Sequence, residues 1–288
     1  MIADVGYRRV PIDRPDEYEA ARVEERLPAL DRVSAETRDP ATYESELRAA
    51  VAADRWETAK AHFTERWSAH QTDHPPSPSR DDPRGLDPAA DAQVGRACDR
   101  VRDIEQRVIT PAMRDIESED PGRSLVGLDH RLKGPDRLKE KVADQLHGRP
   151  GLQPEQAVAN VKDAIRFTFE YSEERYAAGV LADHARMESR GFALVERRNF
   201  WDQDHYKGIN SRWREPGTGQ VFEVQFHTRG SFEAKQLTHP AYERIRNPDT
   251  SDAEAAELYS LQRDVCLRIP VPPGAADIED HPGRKHDG

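Results

Sequence analysis

The chain has 288 residues, of which 36% are hydrophobic and 34% charged, and it carries a net charge of −11. The acidic balance excludes a general coat for nucleic-acid backbones but allows a local basic pocket for a small phosphate ligand. No apolar run approaches the roughly 18 residues of a membrane span, and the two cysteines, Cys98 and Cys266, make neither a disulfide framework nor a metal-ligand spacing.

The opening residues show no charged-then-apolar leader pattern. A reducing cytoplasm is the expected location, with leaderless secretion left open. Residues 15–70 read as helices. In "ATYESELRAAVAADRWETAKAHFTERW" the residues Leu47, Val51, Trp56, Ala59, Phe63 and Trp67 form one apolar stripe. A Pro-, Asp- and Ser-rich stretch follows and reads as a linker over 76–90. The helical accessory region is therefore placed at 1–75.

From about residue 91 the pattern is regular to 270. Val94, Cys98, Val101, Ile104, Val108 and Met113 mark a long helix with a kink or break at Pro111. "LDHRLKGPDRLKEKVADQL" is basic, and its second half is helical. "VKDAIRFTFEYS" alternates as a strand with Asp163 at its start. "SEERYAAGVLADHARMESRG" is a capped helix, and "FALVERRNF" is a second strand. "YKGINSRWRE" and "QVFEVQFH" form a hairpin around Pro-Gly-Thr-Gly. Two closing helices follow, and 271–288 reads as a disordered tail by composition. The fold expected is α+β: a mixed sheet with a β-hairpin and surrounding helices, preceded by an all-α region. The first two strands should run parallel or nearly so, through a right-handed crossover.

The chemistry concentrates on "VFEVQFHT". Glu223, Gln225 and His227 share one parity, predicted to be the open face of a strand. In the hairpin partner Tyr206, Asn210, Arg212 and Arg214 share a parity, so an aromatic and guanidinium groups stand beside Glu223 and Gln225 across the ladder. Glu223 and Asp163, on adjacent strands, are of the type that holds Mg²⁺ with substrate phosphates. Arg131, Lys133 and Arg137, with Lys139 and Lys141 beyond, are candidates for clamping a polyphosphate, and Tyr206 is a candidate for stacking on a base. Such parts suit phosphoryl-type transfer. His70 and His74 in "AHQTDH" have the spacing of a metal pair, but they border the predicted linker and are read as holding no ion. His184 and Cys98 are read as core. His239 and Tyr242 are read as holding the closing helix to the sheet.

The order "RLK", "KDAIRF", "HYKGIN", "FEVQFHT", "THPAYE" resembles the synthetase domain of the RelA/SpoT family, which has a nucleotidyltransferase-like fold. The resemblance spans about residues 95–265. It implies Mg²⁺-dependent transfer of the β,γ-diphosphate of ATP to the 3′-hydroxyl of a nucleotide acceptor, by an alarmone synthetase or a toxin of a divergent branch. A tRNA end is an alternative acceptor. Residue by residue, Arg131 and Lys133 resemble the ATP-phosphate contacts, Asp163 and Glu223 the metal pair, Tyr206 the base-stacking aromatic and Gln225 the amide beside the metal ligand. Arg166 resembles the strand arginine of the motif. Aligning on Arg166 puts the family aspartate at Val161, two residues before Asp163. Arg137 falls where the family has Ser, Asn210 where it has His, and His227 where it has Arg. The substrate-binding set expected is Arg131, Lys133, Arg137, Arg166, Tyr206, Asn210, Arg212 and His227; His227 reads equally as a substrate contact or a satisfied edge histidine. An alternative from a different class is a silent nucleotide-binding module acting through its N-terminal helices on a protein partner.

Overall fold

The computed structural model describes residues 40–74, 88–149 and 151–281. The expected helix at 15–33, most of the linker and the last residues of the tail lie outside them. By backbone contacts the chain divides into a unit ending at Ala69 and a second unit, His70–Gly288. The helix α1 (Pro40–Asp73) lies mostly in the first, with Ala59 and Phe63 buried and Phe63 stacked with Trp67, and its last residues from His70 belong to the second. Among the described residues, no helix is long and apolar enough to cross a membrane.

The second unit opens with α2 (Pro88–Ile104), which buries Val94, Ala97 and Val101. Cys98 lies only partly buried at the edge of that stripe. The expected break is a π-helical turn over Glu105–Ile109, followed by α3 (Thr110–Ser118) with Pro111 in its first turn. Pro111 has no N–H to give a preceding carbonyl, so the helix widens just before it. That widening carries the carboxylate of Glu105 inward, where Thr110 Oγ1 and Arg131 donate to it.

The sheet has five strands in the order β1-β2-β5-β4-β3. They are β1 (Arg123–Val126), β2 (Arg166–Tyr171), β3 (Ala193–Asn199), β4 (Ile209–Arg214) and β5 (Val221–Thr228). Only β2 and β5 pair in parallel. The strand β1 was not read from the sequence, because four residues are too few to show a period. β2 and β3 run in the same direction, as expected, but the β4–β5 hairpin is inserted between them. β2 itself begins at Arg166, so Asp163 lies in the turn before the strand.

Between β1 and β2 lie α4 (Pro135–Gly148) and the short α5 (Pro154–Ala159), whose first turn is closed by reciprocal Gln153 and Gln156 side chains. The crossover helix α6 (Tyr176–Ser189) covers one face of the sheet. That face carries Phe167, Phe169, Tyr171, Phe222, Val224, Phe226 and Trp213, all buried. His184 packs there as expected: its ring lies 5.0 Å from Phe226 and 5.1 Å from Trp213, and burial pushes its imidazole down to about 4. The Tyr176 hydroxyl donates to the Phe226 carbonyl at 2.7 Å, pinning the helix to the central strand. At the β1 edge, Arg123 is buried on Asp183, which also accepts from the Tyr171 hydroxyl at 2.5 Å. A buried charge pair of this kind is tolerated because further hydrogen bonds satisfy both partners.

The other face is covered by α7 (Arg229–Ile245), and α8 (Asp252–Cys266) packs against α7. Thr228 caps α7 directly at the end of β5, so the helix turns back over the strand it follows. This overturns the open-face expectation: Glu223, Gln225 and His227 are 7%, 4% and 0% exposed. A central strand with neighbours on both edges and a helix above keeps little of that face open, here only at the end where Glu223 borders a cavity. His239 and Tyr242 also differ from expectation. The buried stripe of α7 is Ser231, Ala234, Thr238 and Ala241, and one residue further round the helix both rings are exposed.

The described part of the tail, residues 271–281, is folded onto the sheet. The His281 backbone pairs with Arg197 on edge strand β3, N to O at 3.1 and 2.9 Å. The Asn199 side-chain amide donates to the Ala275 and Ile278 carbonyls, each at 2.8 Å. Composition predicted disorder, but buried Ala275 and Ile278 supply the apolar anchors, and the unpaired edge of β3 supplies hydrogen-bonding groups.

Candidate active site

The sheet register assembles the site. Arg166 stands opposite Glu223 across the parallel β2–β5 ladder, and Arg212 stands opposite Glu223 across the β4–β5 ladder. The carboxylate of Glu223 is thus flanked by an arginine on each side. Arg166 Nε donates to Glu223 Oε2 at 2.6 Å, and Arg166 Nη2 lies 3.2 Å from Asp163 Oδ2. One guanidinium therefore bridges the two carboxylates named from the sequence. Asp163 is held further by Lys141 Nζ at 2.7 Å and Lys133 Nζ at 3.0 Å. Burial alone would raise its pKa, but Lys141 and Lys133 outweigh it and hold the carboxyl at about 2.

A cavity of about 320 Å³ opens here, with Lys141, Val161, Asp163, Arg166, Arg212 and Glu223 in its walls and Lys133 behind Asp163. Cations outnumber carboxylates in this set, as polyphosphate binding requires. Val161 lines the same cavity two residues from Asp163 and offers it no carboxylate.

A second cluster lies along the same strands. The Tyr206 hydroxyl is 2.9 Å from Asn210 Oδ1 and 3.0 Å from His227 Nε2, and His227 Nδ1 is 2.9 Å from Ser231 Oγ. His227 is fully enclosed; burial first, and Lys235 second, hold its imidazole well below the usual range, so it is neutral. Both ring nitrogens are engaged, and the ring meets Tyr206 edge-on with centroids 5.5 Å apart. Phe200 also meets Tyr206 edge-on, at 5.2 Å between centroids. The close approach of His227 requires glycine at 208: φ there is +147°, and a Cβ would fall 2.8 Å from the imidazole.

Two expected residues point elsewhere. Arg131 gives Nε to Glu105 at 2.7 Å and Nη1 to the Leu128 carbonyl at 2.9 Å. Arg137 is exposed on α4, 3.6 Å from Glu140. Lys141 on α4, named from the sequence among the basic residues beyond Arg137, enters the site. Two residues that the sequence did not single out join it. Glu196 on β3 pairs with Arg212. Lys235 on α7 donates its Nζ to Gln225 Oε1 at 2.5 Å. Burial first and Arg166 second push the Lys235 ammonium down to about 8. Lys235 stands four residues after Ser231 and three before Thr238, a helical spacing that puts it beside the buried stripe, half-buried itself.

No family model matches the sequence, and no curated protein matches it. Solved structures do resemble it. The small alarmone synthetase 1 of Bacillus subtilis, solved with its product pppGpp, gives a TM-score of 0.41 at 12% identity over 63% of this chain and 92% of that one. The small alarmone synthetase 2 of the same organism gives 0.39 at 15% identity, covering 56% and 86%. A GTP pyrophosphokinase family protein of Streptococcus pneumoniae gives 0.37 at 14% identity, covering 62% and 84%. At these scores the likeness carries no argument about chemistry, which rests on the residues of the site.

Proposed function

We propose that the site transfers the β,γ-diphosphate of ATP to the 3′-hydroxyl of a nucleotide acceptor, in an alarmone synthetase or a toxin. The observation that carries this reading is the convergence of Asp163 and Glu223 on Arg166 at the wall of a cation-rich cavity. Two carboxylates facing one cavity, with room for phosphate oxygens, suit Mg²⁺, which takes a few carboxylates and completes its shell with phosphate and water. Asp163 and Glu223 would hold the ion, which supplies neutralisation of phosphate charge when bound.

The chain's own residues do the rest. Lys133, Lys141, Arg166 and Arg212 bind and orient the triphosphate, which is most of what phosphoryl-type transfer asks of a protein. The acceptor 3′-oxygen attacks the β-phosphorus; the bond from that phosphorus to the α–β bridging oxygen breaks, and AMP leaves. Glu223 accepts the proton of the attacking hydroxyl. Gln225, held by Lys235, keeps the strand beside Glu223 polar and fixed. Tyr206, held by edge-on contacts with Phe200 and His227, presents the acceptor base with a ring whose hydroxyl is anchored to Asn210.

One observation favours a second reading, a silent nucleotide-binding module: Arg166 already engages both carboxylates. Incubating the purified full chain with γ-labelled ATP, Mg²⁺ and a nucleotide panel separates the two. Label on an acceptor with release of AMP supports transfer. ATP binding without label transfer supports the silent module, and absence of ATP binding removes both.

A further inference from the structure

The last turn of α1 and the first turn of α8, both within the second unit, bring together His70, His74 and Glu254. His70 and His74 lie one helical turn apart on one side of the chain, with rings stacked at 4.5 Å between centroids. His70 Nε2 is 3.1 Å from Glu254 Oε1, and both residues are buried. One ligand atom from each of the three residues lies within 4.8 Å of the others. Glu254 is itself oriented: Arg244 donates to its two oxygens at 2.6 and 3.2 Å, and Ser251 caps the helix that carries it.

We propose that His70, His74 and Glu254 form a Zn²⁺ site, separate from the phosphate cavity, that fastens residues 70–74 to α8. Two imidazoles and one carboxylate are a recognised three-ligand set for this ion, leaving one position for water. Imidazole donors select Zn²⁺ over Mg²⁺, which takes oxygen. Ligand atoms around a tetrahedral Zn²⁺ stand about 3.3 Å apart, given bonds of about 2.0–2.1 Å. The 3.1 Å His70–Glu254 contact already meets that spacing, and His74, exposed at the helix end, has the freedom to close on the ion. Arg244 serves as the outer partner that holds the ligating carboxylate, as such partners do in metal sites generally. The spacing of the two histidines was visible in the sequence, but the third ligand lies 180 residues further along, and only folding supplies it.

The test uses the tag-free full-length chain, stripped with EDTA and titrated calorimetrically with Zn²⁺, then with Co²⁺ to read the ligand field. The expected result is one equivalent of Zn²⁺ bound at micromolar affinity or tighter, with a tetrahedral Co²⁺ spectrum and a raised melting temperature. His74→Ala, at an exposed position that the fold tolerates, should weaken binding by about tenfold or more. His62→Ala, exposed on the same helix, should change nothing. Glu254→Gln should also lose the ion, and its far-ultraviolet spectrum reports whether the fold survives loss of the Arg244 pair. Failure of the wild-type chain to take up one equivalent at micromolar protein overturns the site and leaves a His70–Glu254 contact. Unchanged affinity in His74→Ala overturns it equally.

Discussion

Arg166 and Glu223 face each other across the single parallel ladder of the sheet, with the guanidinium Nε 2.6 Å from the carboxylate. The pair stands where two arms of the proposed chemistry meet, phosphate binding and proton removal. Glu223→Gln keeps the volume and one hydrogen bond to Arg166 but removes the charge. It should abolish transfer with an unchanged circular dichroism spectrum and a small change in ATP affinity. Normal turnover in that variant would take Glu223 out of the mechanism.

Asp163 tests the second carboxylate. Asp163→Asn should slow transfer at least about a hundredfold, which is roughly 2.7 kcal/mol of transition-state stabilisation. The same residue has a pH signature. Its folded pKa, about 2, lies below the ordinary 3.8, so the stability it contributes is complete above 3.8 and is lost as pH falls through about 2. The wild-type advantage over Asp163→Asn in denaturant titrations should be flat above pH 3.8 and shrink below it. A rate loss under about threefold would mean that the second carboxylate is elsewhere.

Lys235 should impose a basic limit on activity. Its ammonium, pushed down to about 8, is charged at neutral pH and discharged above that value. Transfer should therefore decline as pH rises through about 8. Lys235→Arg, which stays charged, should move that limit upward, and Lys235→Met should be slow at every pH. An identical basic limb in wild type and Lys235→Arg would assign it to another group.

The Tyr206 cluster governs the acceptor. Stacking tolerates either purine and contributes about 1–3 kcal/mol, so base choice falls to edge hydrogen bonds. Asn210, with its side chain held by the Tyr206 hydroxyl, has the amide chemistry that pairs with an adenine edge. In an equimolar competition of AMP, ADP, GDP and GTP with labelled ATP, adenine nucleotides should take most of the label. Tyr206→Ala should raise the acceptor KM far more than the ATP KM, and Tyr206→Phe should blunt the base preference while keeping the affinity. Equal loss of donor and acceptor binding in Tyr206→Ala would make the ring a packing residue only.

The C-terminal segment offers a prediction independent of the site. Asn199→Ala removes the donor that holds the Ala275 and Ile278 carbonyls. It should cost roughly 1–2 kcal/mol and open residues 271–281 to limited proteolysis. A cleavage pattern identical to wild type would show that the His281–Arg197 pairing and the buried Ala275 and Ile278 suffice.

The periods of the chain determined much of the second unit without any structure. Alternation in "IRFTFEY" and "VFEVQFH" marks the two strands that become parallel neighbours, because side chains two apart must share a face. That parity also grouped Glu223, Gln225, Asn210 and Arg212 before their ladders were known. Tertiary structure decided what a one-dimensional pattern cannot encode. It inserted the hairpin between β2 and β3. It covered the polar face of β5 with α7, turning His227 from a choice between contact and edge residue into an enclosed neutral support. It turned Arg131 toward Glu105, because the π turn before Pro111 carries that carboxylate inward. It chose Lys141 over Arg137 from one basic helix, drew Lys235 into the site from another, and brought Glu254 to the pair His70 and His74. A strand reports its own faces through local sterics, whereas the identity of what covers a face depends on contacts between residues far apart in the chain, for which sequence spacing carries no signal.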